Sequence, residues 1–311
     1  MKPLDLPALR SRALRVLNEN RTAGLNFPGI FMGVRGRKEG RSGLRLEFED
    51  GPLFRDSAGE VSMAAFGVLI DTACGAVTRT HVPPTMRPAT VHLKAQFTGA
   101  PAIGHIVSHT RFQGHSDRAA VTEAVSVGRV MSGTTLLAHV SGTFLMLNLP
   151  EGRMHHTNPW LPARHRLAPE LDESDLQPHE AAVIDSFDES TRKANTKHPF
   201  IEYFWGGEPK IGDGKAKLRI AVAPHLGNRV GDVHGGILFG LAAQVAASVV
   251  PDTMRLSNIC AWFTSPGKGP HLDIISTVVQ QGRTLAVVRT QILNSTGVPV
   301  LEVTSQHLRC K

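Results

Sequence analysis

One stretch near residue 230 has the residue types that a site for holding an anion or polarising a carbonyl would need. Asn228, Gly231, His234, Gly235 and Gly236 form a polar, glycine-rich run, and Ile237 to Val250 follow it without a formal charge. That order reads as a loop feeding the N-terminus of a buried helix. The first backbone N–H groups of such a helix lack intrahelical partners and carry the positive end of its dipole, so an anion or a carbonyl oxygen can bind there. Glycine at 235 and 236 lets a second molecule approach the backbone closely. An ordinary core helix with a glycine-rich entry would have the same local pattern.

The pattern occurs twice, 172 residues apart. Asp56 to Ala64 aligns without gaps on Asn228 to Gly236, with Gly59 on Gly231 and Val61 on Val233. Leu46, Phe48 and Pro52 fall on Leu218, Ile220 and Pro224, and Thr85, Met86 and Arg87 return as Thr253, Met254 and Arg255. Behind the first turn, Ala65 to Val77 is almost wholly apolar, and Asp71 is its only charge. Burying an isolated carboxylate on an apolar helix is costly unless it has a partner or a task. A repeat of this length is two copies of a domain rather than a solenoid unit. The expected boundaries are 1–149 for a domain that keeps Asp71, 150–174 for a linker with several prolines, and 175–311 for a domain that keeps the His-Gly-Gly loop.

The elements that must position these residues follow from periodicity and turn signals. Leu6 to Asn18 reads as an amphipathic helix, with Pro7 in its first turn and an apolar stripe of Leu9, Ala13, Val16 and Leu17. Strands are expected at 30–34 and 44–49, then the turn and the apolar helix, then strands at 90–97, 104–112, 119–127 and 134–147. The second half repeats the order. A helix capped by Ser174 or Asp175 runs to about Lys193, and strands are expected at 200–205 and 216–223. The loop and apolar helix come next, and closing strands are expected at 259–264, 271–280, 284–293 and 298–308. A long helix wrapped by a curved antiparallel sheet is the economical way to bury it.

Composition narrows the class. The chain has 311 residues, 41% hydrophobic and 20% charged, which suits two domains of ordinary globular type. No apolar run reaches the roughly 20 residues needed to cross a bilayer, and the start lacks the apolar core of an export signal. A cytoplasmic protein without membrane partners is therefore expected. The formal charge of +7 raises the question of nucleic acid, but the basic residues are scattered, aromatics make up 5% and no nucleic-acid motif is present. Cys74, Cys260 and Cys310 lie far apart, odd in number and without metal-ligand spacing. Neither a metal nor another cofactor is implied.

The block of Asn228, Gly231, His234, Gly235 and Gly236, with the small-residue helix behind it, resembles the signature of hotdog-fold acyl-CoA thioesterases of the PaaI-like type. The resemblance spans about 25–148 and 198–310. It implies an α+β chain of two tandem hotdog domains packed as a pseudo-dimer, which leaves room for further homo-oligomers. In that family the N–H of the glycine after His, helped by the upstream Asn, polarises the thioester carbonyl, and an acid nine positions after the His serves water or attacks directly. Carried onto this chain, the donors are Gly235 and Asn228, but position 243 is Ala243. The first copy keeps the acid as Asp71 and has Ser62, Met63 and Ala64 in place of His-Gly-Gly, and Asp56 in place of Asn.

Geometry allows one site from two incomplete copies. Eight residues of α-helix put position 243 roughly 12 Å from Gly235 along the axis, too far to serve a carbonyl at its own helix start. If the two long helices pack antiparallel, Asp71 lies beside the start of the second. The expected site is therefore Asp71, Gly235 and Asn228 as catalytic groups, with His234, Gly236, Thr90 and Arg229 around the substrate. The His234 role is loop positioning, and the resemblance implies that Thr90, early in the strand after the Asp71 helix, helps place the water. Arg229, Arg87 and Lys94 are candidates for the CoA phosphates. Ala243, Asp56 and Met63 would form a dead counterpart. The expected activity is hydrolysis of an acyl-CoA. Two alternatives stay open: an acyl-CoA-binding protein without turnover, and a hotdog hydratase or dehydratase.

Overall fold

The computed structural model describes residues 5–21, 26–49, 51–116, 121–149, 160–162, 165–196 and 198–310. The first half runs α1 (Leu6–Asn20), α2 (Phe27–Met32), β1 (Arg35–Glu39), β2 (Gly43–Glu49), α3 (Met63–Arg79), β3 (Met86–Phe97), β4 (His105–Ser116), β5 (Glu123–Ser132) and β6 (Thr135–Asn148). A two-residue strand β7 (Leu161–Pro162) pairs in parallel with β1. The second half repeats the series as α4 (Pro178–Lys193), α5 (Phe200–Trp205), β8 (Lys210–Gly212), β9 (Lys215–Ala221), α6 (Gly235–Ala247), β10 (Met254–Phe263), β11 (His271–Gln281), β12 (Leu285–Asn294) and β13 (Pro299–Arg309).

The strands form one 13-stranded sheet in the order β7-β1-β2-β4-β5-β6-β3-β10-β13-β12-β11-β9-β8. Read outward from its middle, the two halves have the same strand order, and β7 adds one further edge strand to the first half. They join where β3 and β10 pair antiparallel, with Ala95 opposite Ile259 and Leu93 opposite Ala261. Pairing these two edges removes the exposed strand that each half would otherwise present.

Helices α3 and α6 lie side by side against this sheet and are buried on nearly every face. A helix that is apolar all round belongs in a core, and both sequences have that character. Their backbones touch. A Cβ added to Gly67 would sit 2.2 Å from the Gly236 carbonyl oxygen, and one on Gly240 would sit 2.2 Å from the Met63 carbonyl oxygen. Residue 67 thus faces 236 while 63 faces 240, which makes the pair antiparallel. Glycine is required at these positions because no side chain fits between the backbones.

The expectation of strands at 30–34 and 200–205 is corrected. Both segments belong to short helices, α2 and α5, at equivalent points of the repeat. Asn26 caps α2 by accepting the Gly29 N–H at 2.8 Å, and Gly33 ends it with φ of +69°. Short apolar runs do not separate strand from helix by periodicity, and here packing decided. Phe27, Phe31 and Phe204 pack in one aromatic cluster, with Phe27 and Phe31 at 5.3 Å and Phe31 and Phe204 at 5.4 Å. The cluster ties α2 of one half to α5 of the other.

The cap of α4 also differs from expectation. Ser174 and Asp175 lie in a separate 3-10 turn, and the helix starts from Gln177, whose N–H donates to Glu180 at 2.9 Å. Within the expected linker, residues 150–159 and 163–164 lie outside the described residues, as do 119–120 of the expected fifth strand segment.

Candidate active site

The Asn228 loop is built by its own side chain. Asn228 Oδ1 accepts the Val230 N–H at 2.9 Å and the Asp232 N–H at 3.1 Å, and Gly231 turns the chain with φ of +87°. The His234 N–H then donates to the Leu226 carbonyl at 2.8 Å, which sets the start of α6. The first copy makes the same turn. Asp56 Oδ1 accepts from Ala58 and Glu60, and Gly59 has φ of +80°. Since Asp56 does this in a copy without His-Gly-Gly, the Oδ1 contacts belong to the turn itself. They leave Nδ2 as the side-chain donor that distinguishes Asn228.

Asp71 lies two turns into α3, with its side chain 10% exposed. One carboxylate oxygen, Oδ1, accepts the Thr90 hydroxyl at 2.9 Å, and Oδ2 accepts the Gly236 N–H at 2.9 Å. The acid of the first half therefore sits at the N-terminus of the second half's helix, where dipole and N–H groups favour a negative charge. A Cβ on Gly235 would fall 2.8 Å from Asp71 Oδ2 and 3.2 Å from the Phe263 ring. Glycine at 235 is what admits the carboxylate. The Gly235 N–H has no acceptor among the described residues.

His234 caps α6. Its Nδ1 accepts the Gly236 N–H at 3.0 Å and stands 3.4 Å from Asp71 Oδ2. Burial pushes the imidazole below its ordinary range, and the nearby Asp71 charge pulls back less strongly. A neutral ring fits the geometry, because Nδ1 already accepts a hydrogen bond and its proton then resides on Nε2. At neutral pH the 3.4 Å approach is therefore two acceptors sharing one N–H donor, not an ion pair.

These groups open onto one cavity of about 340 Å³. Asp71, Thr90, Asn228, Arg229, His234 and Gly235 all line it, while Gly236 is spent on Asp71 beneath. Apolar walls come from Val91, Phe144, Leu147, Leu238 and Phe263. Of the three basic candidates, Arg229 and Arg87 line this cavity. Lys94 does not. It is exposed and lines a separate groove with Arg111, Arg129 and His139, because strand alternation turns it away from the helices. Sequence reasoning did not single out Arg79, Phe263 or Asn26, which also line the cavity. Arg79 alone had a readable signal, since it lies eight residues after Asp71 and hence near the same helix face.

Residues 225–306, which include the loop, α6 and most of the closing strands, match the family described as acyl-CoA thioesterase N-terminal domain. Among solved structures, the tesB protein of Mycobacterium avium subsp. paratuberculosis aligns with TM-score 0.51 at 10% identity, covering 89% of this chain and 96% of that one. A hot dog fold protein of unknown function from Alicyclobacillus acidocaldarius aligns with TM-score 0.51 at 9% identity, over 89% and 96% of the two chains. A candidate thioesterase II from Thermobifida fusca YX aligns with TM-score 0.52 at 12% identity, over 92% and 98%. The search of curated proteins finds no match. The chain therefore has the fold of two tandem hotdog domains, and its second half carries the similarity to acyl-CoA thioesterase domains.

Proposed function

We propose, starting from a second half similar to acyl-CoA thioesterase domains, that this chain hydrolyses an acyl-CoA at a single site between its two hotdog units. The observation that carries the reading is the Asp71 carboxylate held at the N-terminus of α6, inside a cavity shared by both halves. The thioester carbonyl lies over the start of α6, where the Gly235 N–H and the helix dipole stabilise the oxyanion, and Asn228 Nδ2 adds a second donor. Removing one such donor typically costs about 2.7–4 kcal/mol in the transition state.

Asp71 takes the proton of an attacking water as the C–O bond forms. The tetrahedral intermediate then collapses, the C–S bond breaks, and the CoA thiolate recovers that proton from Asp71. Attack by the carboxylate itself, through a mixed anhydride that water later opens, uses the same placement. Thr90 holds one carboxylate oxygen and Gly236 the other, so the acid stays oriented. His234 keeps the loop and the Gly236 N–H in place. Arg229 at the cavity edge serves the CoA phosphates. The PaaI-like assignment, the division at 149 and 175 and the loss of the counterpart site at Ala243 belong to the same proposal.

The test is release of free thiol from a panel of acyl-CoAs by the intact chain and by Asp71→Asn. Turnover lost in Asp71→Asn, with the thermal transition kept, is the expected result. Tight acyl-CoA binding with no thiol release by the intact chain would assign the groove to binding alone. Addition of water to an enoyl-CoA would assign it to a hydratase.

A further inference from the structure

The face of the first half's sheet that turns away from α3 and α6 holds a second concavity, a groove of about 850 Å³. Side chains alternate along a strand. Leu93 and Ala95 of β3 are buried toward the helices, so Lys94 and Gln96 face outward. The same alternation brings His139 of β6, Arg129 of β5 and Arg111 of β4 to that face. The register then sets two adjacent rows across four strands. In one, Gln96 lies opposite His139, His139 opposite Arg129, and Arg129 opposite His109. In the next, Lys94 lies opposite Ser141, Ser141 opposite Val127, and Val127 opposite Arg111. Three strand spacings put the Lys94 and Arg111 backbones about 14 Å apart, and the rows are about 7 Å apart. Ser141 and Val127, short and uncharged, leave the floor between them low.

Opposite charges on neighbouring strands support a sheet, and like charges weaken it. The outer face of the second half follows that rule. Arg219 pairs with Asp273 at 2.7 Å, and Arg289 with Glu302 at 3.1 Å. The groove in the first half does not. Glu39 is the one carboxylate in its lining, and His109 Nδ1 holds it at 2.9 Å. Lys94, Arg111 and Arg129 are exposed and have no ion-pair partner among the described residues. A single exposed cation is ordinary solvated surface. Three around one depression repel one another, and a polyanion seated among them removes that repulsion.

We propose that this groove is a second binding site, for a metabolite that carries a diphosphate. Guanidinium groups grip phosphate oxygens two at a time, and a lysine adds a point charge. A single carboxylate is too small to meet cations on two rows, whereas linked phosphates offer oxygens to Arg111, Arg129 and Lys94 together. The groove is separate from the cavity at Asp71, because β3 lies between them: Thr90 turns to Asp71, and Lys94 turns outward. Its occupancy does not depend on thioester hydrolysis. Nucleotides and CoA both carry the diphosphate group, and the choice of probes separates them.

Isothermal titration calorimetry of the intact chain with inorganic pyrophosphate, ADP and free CoA is the test, beside Arg129→Gln, Arg111→Gln and Lys94→Gln. Pyrophosphate should bind at one site per chain and more tightly than inorganic phosphate, and each variant should weaken it about tenfold. The three side chains are exposed, so the variants should keep the melting transition of the intact chain. Pyrophosphate should raise that transition more in the intact chain than in any of them. Arg229→Gln, at the cavity edge, and Arg289→Gln, on the second half's outer face, should leave pyrophosphate binding unchanged. ADP or CoA bound more tightly than pyrophosphate, and weakened by Arg129→Gln, upholds the site and names its source. No binding at millimolar pyrophosphate, loss in Arg229→Gln instead of Arg129→Gln, or equal weakening in Arg289→Gln would overturn the proposal. A duplex oligonucleotide bound more tightly than ADP, with steep salt dependence, would give the face to nucleic acid and overturn it as well.

Discussion

The Asp71 carboxylate and the Gly236 N–H, 165 residues apart in the chain, meet in a 2.9 Å hydrogen bond. The contact needs a carboxylate on one apolar helix, a bare helix start on another, and an antiparallel pairing that slides the two together. Each half supplies one part. Thr90 completes the arrangement from β3, so the acid is held from two sides.

Asp71→Asn and Thr90→Val should separate loss of the acid from loss of its orientation. Removing a general base typically costs 10²–10⁴-fold, and Asp71→Asn should fall in that range. Losing the Thr90 hydroxyl removes a hydrogen bond to a charged group, worth about 1.5–3 kcal/mol, so Thr90→Val should cost roughly ten- to a hundredfold. Thiol-release rates check both. An Asp71→Asn enzyme as fast as the parent would remove the carboxylate from the mechanism.

The adjacent glycines should fail in different ways. A Cβ at Gly235 meets the Asp71 carboxylate and a ring edge, both side chains. Gly235→Ala should therefore reduce turnover strongly while lowering the melting temperature little. A Cβ at Gly236 falls 2.4 Å from the Gly67 carbonyl oxygen and 2.6 Å from Val68 Cα, which is backbone against backbone. Gly236→Ala should destabilise by about 1–3 kcal/mol or more, as overpacking does. Urea unfolding beside the rate assay distinguishes the two, and the reverse pattern would contradict this packing.

Acid should weaken the fold through buried histidines. Burial brings His225 and His307 down to about 4, and the neutral form of His225 donates from Nε2 to the Phe204 carbonyl at 2.8 Å. Between their ordinary value near 6.5 and about 4, the unfolded chain binds protons that the native chain does not. Their contribution is full above about 6.5 and is lost as pH falls through that window, up to about 3 kcal/mol for each group. His234 adds in the same direction. Denaturant midpoints at pH 7.5 and pH 4.5 measure it. For His225→Phe the midpoint difference should shrink, and an unchanged difference would exclude His225 as a source.

Restoring the missing acid should not restore a second site. Ala243 is 1% exposed, and its antiparallel counterparts are Met63 and Ala64 rather than a His-Gly-Gly start. Ala243→Asp should add no thiol release and should lower stability by several kcal/mol, because the charge is buried without a full set of donors. A doubled rate would mean that the Met63 end still polarises a carbonyl.

Much of this molecule was legible without coordinates, and the rest was not, for identifiable reasons. The duplication, the two charge-poor helices and the lone acid at Asp71 are written as local composition at a fixed offset. That the two sheets join edge to edge through β3 and β10 was not legible, because edge pairing is a contact between the folded halves. The strand readings at 30–34 and 200–205 went astray together, because runs of five or six mostly apolar residues carry no usable period. A cap at Asn26 and a left-handed Gly33 decided the first of these helices, and the aromatic packing seated both.

Residue type and spacing alone determined that an acid and a glycine-rich helix start exist, and that neither copy holds both. Only the tertiary structure decided which amide the acid meets, Gly236 rather than Gly235, that Lys94 lies on the far face, and that Arg79 reaches the cavity. Spacing along a chain sets what each helix carries and on which face. The register between two helices is set by where their backbones can touch, and here that depends on Gly67, Gly236 and Gly240 meeting across a gap no side chain could enter.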